Sequence, residues 1–447
     1  MREEPIISVS GLRGVIGRSL TPDVAVRYVG AFVSECPPGP IVVSRDGRST
    51  GPMLVDAIRS ALVAAGRTVV DAGVAATPTT GVLVRTLEAA GGIQISASHN
   101  PAEYNGLKLF GADGRVIPAV AGQRVLDRYR RDDFAWQPHD RLGTTAQCDD
   151  TCSAHLALIL PLVQLETIRG ANFRVLLDSN RGAGSVLGHQ LLHELGCHIT
   201  LLGGTPDGRF DHPPEPTAEN LAEVGQQVVA AGAAVGFCQD PDADRLALID
   251  ERGRYVGEEY TLALCVQHIL QQRPGPVVIN CSTSRMTADL AQRFGVPCYR
   301  SKVGEAHVCD LMQECQAVFG GEGNGGPIDP RVGFVRDSFV GMALVLDALA
   351  ATGLPLSQLV DQLPRYAICK TKVTLTADRL GDAWSRLQRH FADAQADQLD
   401  GLRLDWPDRW LLIRASNTEP IVRIVAEAPE PAQAAALCSA ASQVLSS

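Results

Sequence analysis

Residues 41–58 read IVVSRDGRSTGPMLVDAI: an apolar strand rich in β-branched residues, a polar turn with glycine, and a segment with helical spacing of apolar residues. The same order of features recurs in VLLDSNRGAGSVLGHQLL at 175–192 and in VVINCSTSRMTADLAQRF at 277–294. Strand–turn–helix units predict α/β architecture, and three of them, roughly 100 to 135 residues apart, predict three related domains.

Each unit continues in the same way after its helix. A glycine, the residue expected just past a helix end, precedes a second strand in GRTVVDAG (66–73), GCHITLLGG (196–204) and GVPCYRS (295–301). A third strand then enters a polar loop in GGIQISASHN (91–100), AAVGFCQDPDAD (233–244) and AVFGGEGNGG (317–326). Ligands of open α/β sheets bind beyond the carboxyl ends of strands, so these three loops predict one shared site.

The chain from about Pro364 departs from this pattern. KTKVTLTAD alternates as a strand, a polar helical segment extends through Ala394, and an alanine-rich helix follows two more strands, DRWLLIRAS and PIVRIVAEA. This order is typical of a small α+β domain. We therefore predict three α/β domains with mixed sheets, at 1–147, 148–252 and 253–363, and a smaller α+β domain at 364–447.

The composition limits the classes of function. With 447 residues, 45% of them hydrophobic and 20% charged, the chain is typical of a folded multidomain protein. Its net charge of −10 leaves no excess of positive charge for binding nucleic acid. The twelve cysteines stand singly with no CxxC pair, which predicts reduced thiols in a cytoplasmic protein. The acidic start, MREEPIISVS, and the lack of an apolar run of about 18–20 residues predict neither a signal peptide nor a membrane span.

The second polar loop, DPDADR at 240–245, places Asp240, Asp242 and Asp244 in one tight turn. Carboxylates this close repel one another unless a divalent cation lies between them, so the loop predicts a metal site. An EF-hand does not fit, because Arg245 stands where that motif requires glycine and a strand follows at once. A solvated acidic turn remains the alternative.

Two other loops are ambiguous when taken singly. SASHNP at 96–101 places Ser98 beside His99, with Lys108 close behind, which suits either a nucleophile or a helix-capping turn. GEGNGG at 321–326 could bring Glu322 and Asn324 close to the hydroxyl groups of a sugar, or could be only a turn.

The fourth domain offers a site for an anion. RASNTEP at 414–420 and the following Arg423 place two arginines around short polar side chains, as a phosphate dianion requires. A capped turn with surface arginines is the alternative. Arg13, in the first domain, would supply further positive charge.

These motifs, in this order, resemble the α-D-phosphohexomutase family, which includes phosphoglucomutase, phosphomannomutase and phosphoglucosamine mutase. The resemblance covers essentially the whole chain. SASHNPAEYNGLK is similar to the family's phosphoserine loop, DPDADR to its metal loop, GEGNGG to its sugar-binding loop and RASNTEPIVR to its phosphate-binding loop. PDGRFDHPPEPTAENL, from Pro206, also matches a family segment that leads into the metal loop. The resemblance implies four domains about a central cleft, and an isomerase that interconverts hexose 6-phosphate and hexose 1-phosphate through a phosphoserine and a bisphosphorylated sugar.

The resemblance also implies a role for each motif. Ser98 would carry the transferable phosphoryl group, and the three aspartates would hold Mg²⁺ together with an oxygen of that group. Arg13, Lys108 and Arg245 would surround this phosphate, with His99 or Lys108 carrying the proton. Glu322 and Asn324 would bind the sugar. The non-reacting phosphate would be held by Arg414, Ser416, Asn417, Thr418 and Arg423. The expected activator is a hexose 1,6-bisphosphate, and the expected partner is a small phosphosugar bound by a monomer or homodimer.

Two departures from the family concern the choice of sugar. Many bacterial members carry a serine and a histidine in the pattern GE-x-S-G-H, where this chain has Asn324 and Gly326. In addition, Val303-Gly304-Glu305 replaces the Val/Thr-Gly-His of several relatives. The GEGNGG type resembles phosphoglucosamine mutases, so we expect glucosamine phosphate as substrate, with phosphomannomutase or phosphoglucomutase activity as the alternative. A non-catalytic sugar-phosphate-binding relative and a metal-dependent phosphatase are the alternatives from other classes.

Overall fold

The computed structural model describes residues 4–8, 11–374, 380–415 and 421–446. Within these ranges the chain forms four β-sheets, which follow one another along the sequence. The first three sheets are mixed and are packed with helices, whereas the fourth is antiparallel. The predicted fold class, three α/β units followed by an α+β unit, is confirmed; the boundaries between the domains stay a prediction.

The first sheet has the order β1-β2-β6-β5-β3-β4-β7 among the described residues. Strands β3, β4, β5 and β7 are parallel, while β6, β2 and β1 continue the sheet in antiparallel pairs. The strands are β1 (Ile6–Ser8), β2 (Gly11–Val15), β3 (Ile41–Arg45), β4 (Val69–Val74), β5 (Gly91–Ile95), β6 (Tyr104–Gly111) and β7 (Thr145–Gln147). The helices are α1 (Pro22–Glu35), α2 (Gly51–Ala64), α3 (Thr77–Thr86) and α4 (Ala119–Arg131), followed by a 3-10 turn at His139–Arg141.

The second and third sheets, β11-β10-β8-β9 and β13-β12-β14-β15, repeat the centre of the first. In each sheet the first strand of the unit lies between the second and the third, and an antiparallel strand follows the third. The second unit contains β8 (Arg174–Asp178), β9 (His198–Leu202), β10 (Val235–Gln239), β11 (Leu246–Asp250), α5 (Ser153–Ile159), a 3-10 turn (Leu160–Leu162), α6 (Leu165–Ala171), α7 (Gly184–Glu194) and α8 (Ala222–Ala230). The third contains β12 (Val277–Asn280), β13 (Cys298–Ser301), β14 (Phe319–Glu322), β15 (Gly326–Ile328), α9 (Glu258–Gln272), α10 (Met286–Arg293), α11 (Glu305–Glu314), α12 (Ser338–Thr352) and α13 (Leu356–Asp361).

The fourth sheet has the order β16-β20-β19-β18-β17 in the part of the chain that the structure describes. Its elements are β16 (Ala367–Thr374), α14 (Leu380–His390), β17 (Gln395–Asp397), β18 (Leu402–Asp405), β19 (Trp410–Ala415), β20 (Ile421–Ala428) and α15 (Pro431–Ser446). The sequence reading missed β17 and β18, because strands of three and four residues with charged positions show too little alternation to be recognised. Residues 375–379 of the predicted strand KTKVTLTAD lie outside the described residues.

A continuous apolar core joins the second and third units, and most residues of helix α12 are buried in it. This helix begins at a cap where the Asp337 carboxylate accepts hydrogen bonds from the peptide N–H groups of Phe339 and Val340, and it ends at Gly353 with φ +65°. Asp347, the one charge in its apolar run, is buried but satisfied by the peptide N–H of Gln164 and by His268 Nε2, each within 2.9 Å. Two of the loops predicted to share a site therefore belong to one packed body.

Two further expectations concern the thiols and the membrane. All twelve cysteines are free thiols, as the sequence predicts. Among the described residues, no helix combines the length and the apolar surface that crossing a bilayer would require.

Candidate active site

The first and second polar loops meet at Ser98. Its loop connects β5 to β6, and the metal loop connects β10 to β11, so both loops follow the third strand of their unit. Ser98 is 1% exposed and has φ +51°, a left-handed conformation that is strained for a serine. Ser98 Oγ donates a 2.6 Å hydrogen bond to Asp240 Oδ2, and His99 Nδ1 lies 3.3 Å from Ser98 Oγ. The structure thus brings the predicted nucleophile against the predicted metal loop.

The three aspartates of the metal loop form a compact and fully buried cluster. One ligand oxygen from each of Asp240, Asp242 and Asp244 lies within 4.8 Å of the others. Asp242 Oδ1 and Asp244 Oδ1 are buried without a hydrogen-bond partner in the described structure. Burial, followed by the charges of the two neighbouring aspartates, raises the pKa of Asp240 well above its usual value. Unpaired hard oxygens at this spacing fit a divalent cation.

Cations surround the aspartate cluster. Lys108 Nζ donates to Asp242 Oδ2 at 2.8 Å and to Asp244 Oδ2 at 2.6 Å. Burial alone would lower the pKa of Lys108, but these two carboxylates hold it well above its ordinary value. Arg245 donates its peptide N–H to Asp240 Oδ1 at 3.1 Å, and Arg13 Nη1 donates to the Asn100 side chain at 3.2 Å. All three cations that the sequence assigned to this site lie around a cavity of about 240 Å³.

A fourth cation, Arg336, connects the metal loop to the sugar loop. Its Nη2 donates to Asp244 Oδ2 at 2.6 Å, and its Nη1 donates to Glu322 Oε2 at 2.8 Å. Its peptide N–H donates to Glu305 Oε1 at 2.7 Å. Arg336 is 7% exposed and lines the same cavity as Arg13 and Lys108. Sequence reasoning missed it, because an isolated arginine before a helix carries no motif.

The sugar loop is the turn between β14 and β15, and Glu322 anchors it. Glu322 Oε1 accepts from Asn280 Nδ2 at 2.7 Å and from the peptide N–H of Gly304 at 3.0 Å. Asn324, which donates weakly to Glu322 at 3.4 Å, leaves its Oδ1 buried and unpaired within the described structure. Glu305, which replaces the histidine of several relatives, lies near Arg336 and lines the 240 Å³ cavity.

A larger cleft of about 510 Å³ lies between the sugar loop and the fourth sheet. Val303, Glu322 and Asn324 line this cleft as well as the 240 Å³ cavity, so the two spaces adjoin. Lys372, Arg423 and Arg414 pair directly across β16, β20 and β19, and they form a basic row on the opposite wall with Lys370 nearby. Arg414 also forms a 2.7 Å ion pair with Asp400. Ser416, Asn417 and Thr418 lie outside the described residues.

Comparison with known proteins agrees with this arrangement. The chain matches the four domain families of phosphoglucomutase/phosphomannomutase in order. These are alpha/beta/alpha domains I, II and III at residues 5–136, 153–253 and 258–366, and the C-terminal domain at 372–443. The chain is 34% identical to a Methanopyrus kandleri protein named "Probable phosphoglucosamine mutase", over 94% of this chain and 93% of that protein. It is 36% identical, over the same shares, to a phosphoglucomutase/phosphomannomutase of Thermococcus kodakarensis. The chain belongs to the α-D-phosphohexomutase family.

Solved structures support the same assignment for this phosphohexomutase. A phosphoglucomutase/phosphomannomutase family protein of Burkholderia thailandensis superposes with a TM-score of 0.82 at 28% identity, covering 98% of both chains. An N-acetylphosphoglucosamine mutase of Aspergillus fumigatus, solved with GlcNAc-6P and magnesium, shares the fold with a TM-score of 0.55 at 14% identity, over 99% of this chain and 95% of that chain. The chain is therefore an isomerase, and its three buried aspartates could hold a metal ion.

Arg48 binds the backbone of the serine loop of the phosphohexomutase. The sequence did not predict this role. Its guanidinium donates to the carbonyls of Ser98 and Asn100, each at 2.6 Å, and to those of Pro101 and Tyr104. Its Nε pairs with buried Asp46 at 3.1 Å. Burial raises the pKa of Asp46 to about 6, even though Arg48 lowers it. The polar turn after β3, in the first repeat, therefore fixes the backbone of the predicted nucleophile.

We expect Arg48→Met to destabilise the protein strongly. The change leaves the Asp46 carboxylate buried without its cation and removes the donors from four carbonyls, so the cost should be about 3–5 kcal/mol. Arg131→Met is the matched control: this exposed arginine on α4 lies 3.9 Å from Asp133, and its loss should cost less than about 0.5 kcal/mol. Urea unfolding of both variants measures the difference, and equal stabilities would show that Arg48 does not hold the loop.

Proposed function

We propose that this phosphohexomutase interconverts hexose 6-phosphate and hexose 1-phosphate through a phosphoserine at Ser98, with glucosamine phosphate as the preferred substrate. The observation that carries the proposal is the 2.6 Å contact of Ser98 Oγ with the aspartate cluster, beside a cleft whose far wall is basic. A cleft with the nucleophile and the aspartate cluster at one end and a cationic surface at the other suits a ligand that carries phosphate at either of two positions.

The reaction then consists of two phosphoryl transfers. The phosphoryl group leaves Ser98 Oγ for the free hydroxyl of the sugar monophosphate, which gives a sugar bisphosphate. After the sugar bisphosphate reverses its orientation in the cleft, Ser98 Oγ accepts the other phosphoryl group and the product sugar is left with one phosphate. Each transfer moves one phosphoryl group to an oxygen and one proton in the opposite direction. Because the transition state of such transfers is loose, positioning and charge stabilisation carry most of the catalysis.

The residues around Ser98 divide this work. The three aspartates and a phosphoserine oxygen would hold Mg²⁺, which supplies charge stabilisation for the phosphoryl oxygens. Arg13, Lys108 and Arg245 supply the remaining positive charge on the protein side. Arg336 holds the Glu322 carboxylate in place relative to Asp244, so that the sugar loop and the metal loop keep a fixed separation.

His99 is the better of the two candidate proton carriers. Lys108 is bound by two carboxylates that hold its pKa high, so it should keep its proton throughout. Burial, together with the nearby Arg245 and Arg13, lowers the pKa of His99 to about 2, which leaves a neutral imidazole 3.3 Å from Ser98 Oγ. A phosphoryl dianion on Ser98 offsets these two arginines and raises the pKa of His99 toward a useful range.

The basic row of the fourth sheet is proposed to hold the non-reacting phosphate. Arg414→Ala or Arg423→Ala should each raise the Michaelis constant for the sugar phosphate by about tenfold or more, since a charge-assisted hydrogen bond contributes about 1.5–3 kcal/mol. Arg409→Ala is the control, because Arg409 lies on the same domain over the Trp406 ring. Steady-state kinetics would measure the effect. Unchanged constants in both variants would move the phosphate site elsewhere.

A coupled assay of the magnesium-loaded protein with its bisphosphate activator tests the proposed function. Glucosamine 6-phosphate, mannose 1-phosphate and glucose 1-phosphate are supplied separately, and we expect the highest specificity constant for glucosamine phosphate. Preferential turnover of mannose or glucose phosphate would establish the alternative activity. Release of inorganic phosphate would indicate a phosphatase, and binding without turnover would indicate a non-catalytic relative.

A further inference from the structure

The 510 Å³ cleft contains a carboxyl group that forms no ion pair with any cation among the described residues. Glu259, the second residue of α9, lines this cleft, and its Oε2 accepts a 2.9 Å hydrogen bond from the peptide N–H of Ser284. In the described part of the chain, no lysine, arginine or histidine forms an ion pair with it. Glu322, on the same wall, differs because Arg336 lies 2.8 Å from its Oε2. Glu259 thus differs from Glu322 in having no ion-pair partner among the described residues.

The position of this carboxylate places it inside the sugar loop. A Cβ atom built on Gly323 would lie 2.1 Å from Glu259 Oε1 and 2.2 Å from its Oε2. The carboxylate therefore occupies the space that a side chain at position 323 would take, between the two residues proposed to contact sugar. One of these, Asn324, lines the same cleft, and its Oδ1 is buried without a hydrogen-bond partner in the described structure.

We propose that Glu259, with the side-chain Oδ1 of Asn324, binds the protonated amino group of an amino-sugar phosphate. The inference rests on the proposed function, because it assumes that the cleft holds a hexose phosphate. The charges along the cleft run from the basic row of the fourth sheet to Glu259 at the sugar loop. An amino-sugar phosphate carries the complementary pair, a phosphate dianion and an ammonium group, whereas a glucose or mannose phosphate carries only the dianion.

The energetics favour a cationic ligand group at this point. An isolated carboxylate removed from water is costly unless it is paired or protonated. Burial raises the pKa of Glu259 to about 8; the Ser284 N–H opposes the shift, Glu427 adds to it, Lys370 opposes it and Glu258 adds to it. Near pH 7 the group should therefore be largely protonated beside a neutral sugar. An ammonium ligand favours the ionised form and lowers this pKa, so its binding should release a proton from Glu259.

Glu259→Gln tests the assignment, because it keeps the shape of the side chain and removes the charge. We expect kcat/KM for glucosamine 6-phosphate to fall about tenfold or more, as when a hydrogen bond to a charged group is lost, and kcat/KM for glucose 6-phosphate to change less than about threefold. Glu258→Gln is the matched control, since Glu258 is the adjacent carboxylate but does not line the cleft; its ratio between the two sugars should equal that of wild type. An equal loss for both sugars in Glu259→Gln overturns the proposal.

A second variant and a binding measurement test the same ammonium site in other ways. Gly323→Ala places a methyl group where the carboxylate lies and should reduce the preference for the amino sugar by displacing Glu259. Calorimetry of the magnesium-loaded wild type in two buffers of different ionisation enthalpy, near pH 7, should show proton release with glucosamine 1-phosphate that is absent in Glu259→Gln. N-acetylglucosamine 1-phosphate, whose nitrogen is uncharged, should bind like glucose 1-phosphate, and binding as tight as that of the amine would refute the ammonium site.

The two levels of inference fail in different ways. If wild type binds glucosamine 1-phosphate with proton release but isomerises no sugar phosphate, the proposed function is wrong while the ammonium site stands. If wild type isomerises hexose phosphates and Glu259→Gln keeps the same sugar preference, the ammonium site is wrong while the proposed function stands.

Discussion

Ser98→Ala should reduce turnover to the background level, at least about a thousandfold below wild type, with the fold retained. A phosphoryl acceptor held in line with the sugar acts at an effective molarity of about 10⁵ M or more, and Ser98 Oγ lies directly against the aspartate cluster, 2.6 Å from Asp240 Oδ2. Alanine fits the space of the serine side chain, so the change removes the hydroxyl and its hydrogen bond to Asp240 without overpacking the loop.

The measurement combines kinetics with intact mass and phosphopeptide mapping. Wild type incubated with a hexose 1,6-bisphosphate should gain one phosphoryl group on the peptide containing Ser98, and Ser98→Ala should gain none. Ser96→Ala is the control from the same loop: its Oγ only accepts from the Ser98 peptide N–H and donates to Asp46, so Ser98 should still be phosphorylated. Wild-type turnover in Ser98→Ala, with the same activator present, would eliminate the phosphoserine mechanism.

The sequence predicted the loops that form the site because their placement follows from chain order. Each loop comes after the third strand of a repeated unit, and the carboxyl ends of parallel strands meet at one edge of a sheet. The DPDADR loop could be recognised as a candidate metal site from charge alone, since its three carboxylates need no knowledge of the fold to repel one another. Spacing along the chain therefore predicted which loops lie together and where carboxylates cluster, whereas the chemistry at these residues stays a prediction.

What the sequence did not predict depends on contacts between distant segments. Arg336 lies 92 positions from Asp244 in the chain, yet they form one ion pair. Arg48 supports a loop about 50 positions away, and no pattern marks which arginine does so. Lys370 and Lys372 belong to an ordinary alternating strand, and only the antiparallel register with β20 brings Lys372 into line with Arg423 and Arg414. Such pairings arise when distant segments of the chain pack together, within a domain or between domains, and residue types alone do not specify them.

The aspartate cluster should become insensitive to metal in Asp240→Asn without losing its fold. Asp240 accepts from Ser98 Oγ and from the peptide N–H of Arg245, and an isosteric amide can keep one of these bonds. Burial and the charges of Asp242 and Asp244 raise the pKa of Asp240, so ionisation of this carboxyl opposes folding when no divalent cation is bound. The amide removes this charge, and the chelator-treated variant should therefore be at least as stable as chelator-treated wild type.

Magnesium should distinguish the two proteins in thermal unfolding and in turnover. At a free Mg²⁺ concentration about 100 times its dissociation constant, wild type should gain about 2.7 kcal/mol of stability, because the ion binds the folded cluster and not the unfolded chain. Asp240→Asn has lost one of three carboxylate ligands and should gain little at the same concentration, with turnover reduced by at least about a hundredfold. Asp310→Asn is the control, since this carboxylate pairs with Arg115 on the surface, and the variant should respond to Mg²⁺ as wild type does. Full activity of wild type after chelation would show that the reaction needs no metal at the cluster and that Lys108 and Arg336 alone hold it together. An equal magnesium shift in Asp240→Asn would show that the metal binds elsewhere.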